Sequence, residues 1–137
     1  MRTDNLTFRS LDNSDIFKLI TTTREGVDFK TFKEFSETYS LSLTSWSKIL
    51  NMSERTIQRY RREKKRFDSI HAEKLLLIML LFNKGSDVFG NTENFLTWIN
   101  SENIALGGVK PMELLDNSFG INLVKDELIK IEHGILA

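Results

Sequence analysis

Between residues 53 and 66 the chain carries Arg55, Arg59, Arg61, Arg62, Lys64, Lys65 and Arg66 against only Glu54 and Glu63. Arginine and glutamine are the side chains that pair two hydrogen bonds with guanine and adenine edges in a DNA major groove. A helix capped by Ser53 and running through Glu54, Arg55, Thr56, Ile57, Gln58, Arg59, Tyr60, Arg61 and Arg62 turns Ile57 and Tyr60 inward. Glu54, Arg55, Gln58, Arg59 and Arg62 are left on the outer face. Arg61, Lys64, Lys65 and Arg66, at the helix end and past it, suit phosphates, which position a protein without reading sequence. The plain alternative is a solvated basic surface. Composition, capping and spacing agree on DNA.

A reading helix needs a partner that docks it. Two short helices across a tight turn require a small residue at their contact, a turn residue that tolerates left-handed backbone, and an apolar residue facing back. Ser47, Asn51 and Ile57 supply these at separations of four and six, the pattern of a helix-turn-helix.

Other chemistry has little to work with. There is no Cys, which removes thiolate zinc sites and Cys nucleophiles, and the two His, His71 and His133, are far apart with no HExxH arrangement. Neither a metal nor a cofactor is expected. The stretch Gly107, Gly108, Val109, Lys110, Pro111 lacks P-loop spacing, and Asp126 and Glu127 are adjacent, so on a helix they do not face one another as an acid/base pair. An enzyme is not expected. His133 is read as a favourable charge near a helix C-terminus, and Phe89 and Trp98 as core.

The elements behind these residues follow from apolar spacing. Phe29, Phe32, Phe35 and Tyr39 behind Asp28 predict a helix over about 28–39. Leu43, Trp46, Ile49 and Leu50, capped by Ser42 or Thr44, predict a second to Leu50, and Ser53 opens the third. Asp68 caps a helix to about Lys84, apolar on every side over residues 75–82, with Gly85 as its expected stop. A further helix starts at Asn91 or Thr92. Residues 106–111 read as a loop, and Pro111 opens a short helix ending near Leu115. Ile121, Val124, Leu128 and Ile131 mark a last helix stopped by Gly134. No useful strand alternation appears, so the expected fold class is all-α.

At 137 residues and 40% apolar composition the chain can bury a core, and one Pro and seven Gly argue against long disorder. The first residues lack an apolar signal segment, and the eight-residue run at 75–82 is far short of the roughly 20 needed to span a bilayer. A cytoplasmic protein with no membrane contact is expected. Nineteen basic and nineteen acidic residues cancel, yet from residue 86 onward three Lys face eight Asp and Glu. A basic segment followed by an acidic one predicts two different partners.

The C-terminal series Val88-Phe89-Gly90, Phe95, Trp98-Ile99, Ala105-Leu106-Gly107-Gly108, Lys110-Pro111, Leu114-Leu115, Gly120, Val124, Leu128 and Ile131-Glu132-His133-Gly134 resembles the toxin-binding domain of the Xre/MbcA/ParS antitoxins. Residues 50–60 resemble their Xre-like helix-turn-helix. Together the matches run over about residues 28–137. The resemblance implies a DNA-binding domain at 28–85 and a toxin-binding domain at 86–137 packed with it; residues 1–27, which it leaves out, read as a polar N-terminal arm in which no element is predicted. It implies a bacterial type II toxin–antitoxin system in which the chain neutralises a cognate toxin by contact and represses its own operon. The usual toxin has a RES domain and consumes NAD. By position, the DNA face is Ser53, Glu54, Arg55, Gln58, Arg59, Arg61, Arg62, Lys64, Lys65 and Arg66. The toxin face is Leu106, Gly107, Gly108, Lys110 and Pro111 with Glu132, His133, Gly134, Ile135, Leu136 and Ala137. Operator DNA read as paired half-sites implies a homodimer. The rival reading is a helix-turn-helix transcriptional regulator with no toxin partner.

Overall fold

The computed structural model describes residues 7–12 and 15–134 and shows an all-α protein. Its helices are α1 (Ile16–Glu25), α2 (Phe29–Thr38), α3 (Leu43–Leu50), α4 (Glu54–Glu63), α5 (Ser69–Phe89), α6 (Thr92–Ile99) and α7 (Ser118–Glu132). Short 3₁₀ turns lie at Phe8–Ser10, Ile104–Leu106 and Pro111–Leu114. Among the described residues the only extended pairing is two isolated bridges, Val27 with Phe67 and Asn103 with Val109. The chain divides into two compact units, residues 1–80 and 81–137, so that α5 contributes to both.

In the first unit the aromatic stripe is core. Phe32 and Phe35 of α2 are buried, Phe32 lies 4.7 Å from the Trp46 ring and 4.9 Å from Phe67, and Tyr60 of α4 lies 5.2 Å from Phe67. The Trp46 indole N–H donates to Ser36 Oγ at 2.8 Å, which removes the cost of burying it. Asp28, Ser42 and Ser53 cap α2, α3 and α4 by accepting from the amides of Thr31, Ser45 and Thr56. Of α5, Leu75, Ile78, Met79 and Phe82 are fully buried.

Two expectations are corrected. The first 27 residues read as polar and without an element, yet α1 forms there, capped by Asp15 and ended by Gly26. Its apolar side chains Ile16, Phe17 and Ile20 are exposed while Leu19 and Thr22 face the core, so the pattern has no single apolar stripe to read. Gly85 does not stop α5; the helix continues to Phe89, and Gly90 at φ +85° follows. Gly85 is instead where the Phe95 ring rests on the helix backbone, a position with no room for a β-carbon.

In the second unit, Phe95 and Ile99 of α6, Leu106, Leu115, and Ile121, Val124 and Leu128 of α7 make the core. Gly120 lets α7 pass against the Leu114 carbonyl, where any larger residue would overlap backbone. No described helix is long and apolar enough to cross a membrane.

Candidate nucleic-acid and partner interfaces

In the first unit α3 and α4 meet across three residues. Asn51 adopts left-handed backbone at φ +55°, ψ +42°, and its amide donates to the Ser47 carbonyl. The Ser47 hydroxyl donates to the Met52 carbonyl at 2.7 Å, so this small residue also closes the turn it permits. Met52 is buried, Ser53 caps α4, and Ile57 and Tyr60 point into the core. Fixing those two side chains fixes the rest of the helix.

The opposite face of α4 is open. Ser53, Glu54, Arg55, Gln58, Arg59, Arg61, Arg62, Lys64 and Lys65 are all exposed. None of these arginines or lysines is ion-paired among the described residues, so their charges stand open to an outside partner. Helix α4 ends at Lys64, in left-handed backbone at φ +52°, and the Lys65 amide returns to the Tyr60 carbonyl at 2.9 Å. The Lys65 ammonium sits 4.8 Å from the Tyr60 ring centroid.

Arg66 is placed differently from its neighbours. It is half-buried, and its guanidinium donates to the carbonyls of Glu25 at 3.2 Å and Gly26 at 3.4 Å. Beside it Val27 and Phe67 exchange backbone hydrogen bonds at 3.1 and 2.8 Å. Arg66 thus ties the end of α1 to the α4–α5 connection.

Nearby carboxylates are held ionised. Burial works against the charge on Asp28, but the Thr31 hydroxyl and amide, with Arg66 and Lys30, outweigh it and keep its pKa below the ordinary value. Asp68 is lowered by the His71 amide, and the His71 ring nitrogen Nδ1 lies 3.0 Å from its Oδ1.

In the second unit the 103–109 loop is closed on itself. The Asn103 carbonyl accepts from the Leu106 and Gly108 amides at 3.1 and 2.8 Å, its side chain accepts from Ala105, and its amide donates to Val109. Gly107 and Gly108, at φ +84° and +83°, supply backbone that side chains disfavour. Leu106 and Pro111 are buried, whereas Gly107, Gly108 and Lys110 are exposed. At the end of α7, Glu132, His133 and Gly134 are exposed, and Glu132 accepts from the Lys84 ammonium at 2.6 Å, which holds its pKa down. Ile135, Leu136 and Ala137 lie outside the described residues.

The pattern reading passed over the most exposed apolar residues of this unit. Ile104 is 96% and Phe119 89% exposed, and Leu123, one turn beyond Phe119, is 48% exposed. The available signal was that Phe119 and Leu123 fall outside the Ile121, Val124, Leu128, Ile131 stripe. Among the described residues no group of three His, Asp or Glu is gathered as a metal would need.

A tightly turned helix pair presenting an exposed, mostly cationic face defines a helix-turn-helix protein. Residues 18–80 match the model of the antitoxin Xre-like helix-turn-helix domain, and residues 84–134 that of the antitoxin Xre/MbcA/ParS C-terminal toxin-binding domain. The chain belongs to the Xre/MbcA/ParS-type antitoxins, with a toxin and DNA as its two partners. Neither matched domain is an enzymatic family. No curated protein matches the chain.

Proposed function

We propose that this antitoxin neutralises a RES-domain, NAD-degrading toxin by direct contact and represses its own operon as a cytoplasmic homodimer. The first role falls to residues 86–137 and the second to 28–85. The observation that carries the DNA arm is the exposed α4 face, where Arg55, Gln58 and Arg59 stand without ion-pair partners among the described residues above a core-locked Ile57 and Tyr60. Arg55, Gln58 and Arg59 read base edges, and Arg61, Arg62, Lys64 and Lys65 meet phosphates. Arg66, bonded to backbone carbonyls, serves mainly to hold the end of that helix. The open apolar side chains of α1 supply surface for self-association.

Binding to the DNA upstream of its own gene, measured at several salt concentrations, tests the DNA arm. The affinity falls as salt rises, and Lys65→Ala reduces the slope of log K against log salt by about 1. Arg55→Ala and Arg59→Ala each weaken operator binding and relax sequence preference, by about 1–3 kcal/mol per lost base contact. A salt-independent affinity, or operator binding that survives both arginine changes, refutes the assigned face. Co-expression with the neighbouring gene tests the toxin arm: restored growth and a co-purifying complex are expected. Absence of both leaves only a transcriptional regulator.

A further inference from the structure

Helix α7 carries Phe119 and Leu123 on its outer face, and beside Leu123 opens a cleft of about 350 Å³ lined also by Ala105, Leu106, Asp126, Glu127, Ile129 and Lys130. Glu127 is unusual in this wall. It is only 8% exposed, and its carboxylate has no hydrogen bond or ion pair with any described residue. No side-chain oxygen in the described structure is both sealed from solvent and unbonded, so the Glu127 carboxylate keeps some contact with solvent, and Glu127 lines the cleft. A cation entering the cleft therefore meets a carboxylate that no described residue already engages, and it can form a charge-assisted hydrogen bond there.

The surroundings say what brings that cation. Ile104, next to the cleft residues Ala105 and Leu106, is held outward by the self-closed 103–109 loop, so its exposure needs no further ordering on binding. Phe119, Leu123 and Ile104 are three apolar side chains open to water. With Asp126 and Glu127 against Lys130, the cleft itself has an excess of carboxylate, as does the whole segment from residue 86.

We infer that the cleft between Leu106 and α7, which Leu123 lines, together with the exposed Phe119 one helical turn before Leu123 and Ile104 next to Ala105, is the toxin-docking surface, and that the toxin inserts an arginine or lysine toward Glu127 from an apolar patch that covers Phe119. Apolar anchors packed around a desolvated charge pair are the arrangement that concentrates binding energy. This rests on the toxin-neutralising reading above and assigns its contact residues.

The test is titration of the full-length chain, wild type and variant, against the purified product of the neighbouring gene. Glu127→Gln keeps the shape and removes the charge, and Phe119→Ser removes an exposed ring whose loss leaves the core intact; circular dichroism and melting temperature verify the fold. Each raises Kd at least about tenfold, and Phe119→Leu retains most of the affinity. Wild-type binding with both variants equal to it overturns this surface and leaves the toxin reading standing. The surface is likewise overturned if Phe119→Ser instead splits a self-associated form while toxin affinity holds. No complex with the wild type overturns the toxin reading and this surface together.

Discussion

Replacing Gly85 by Ala separates an open helix interior from the two other roles of a glycine by the sign of the effect, and rescue by Phe95→Leu separates those two. At a left-handed helix stop, Ala would be disfavoured for its backbone alone. In the open interior of a helix it would stabilise by about 1 kcal/mol. In the structure Gly85 is interior to α5, and a β-carbon there overlaps Cε1 and Cδ1 of Phe95 and comes to 2.7 Å from its Cζ. Phe95 is fully buried and cannot withdraw, because Phe82 packs edge-on at 5.0 Å and Trp98 and Phe89 lie at 6.3 and 6.4 Å. Overpacking of a tight core costs about 1–3 kcal/mol, and three overlapped ring carbons put this site at the upper end. Subtracting the helix-propensity gain leaves about 1–2 kcal/mol of destabilisation. Urea unfolding followed by Trp98 fluorescence in a Trp46→Phe background reads the second unit, and Phe95→Leu in the Gly85→Ala chain returns part of the loss. An unfolding midpoint equal to or above that of the parent refutes the close approach of ring and helix.

Two further perturbations test the first unit. Lys64→Gly relieves left-handed backbone at φ +52° and raises stability by up to about 1 kcal/mol in thermal melts, while the lost ammonium lowers the salt slope of DNA binding. Asp28→Ala removes the cap that accepts from the Thr31 amide at 2.9 Å and costs about 1 kcal/mol at neutral pH. Because the folded pKa of Asp28 is depressed, its charge stabilises the fold above the unfolded value of about 3.9, and this is lost as pH falls through the folded value. The gap between the urea midpoints of variant and wild type is therefore smaller at pH 3 than at pH 7.

Much of the helix-turn-helix was legible because its determinants are local. Ser53 as a cap, Asn51 in left-handed backbone and the inward pair Ile57 and Tyr60 depend on residues within one or two turns, and sequence spacing reports such neighbours directly. Helix α1 was missed because its apolar residues are divided between core and solvent. Gly85 was misread as a stop because a glycine used for left-handed backbone and one used for close approach look alike until the approaching ring is seen.

The sequence by itself determined the all-α class, the turn that orients α4 and the segregation of positive from negative charge, all properties of neighbouring residues. Only the tertiary structure decided that Arg66 is engaged by the Glu25 and Gly26 carbonyls, that Leu106 and Pro111 turn inward while Ile104 and Phe119 turn outward, and that Glu127 lines a cleft with no partner among the described residues. Those outcomes depend on residues up to about forty positions apart meeting in space, which no periodicity records.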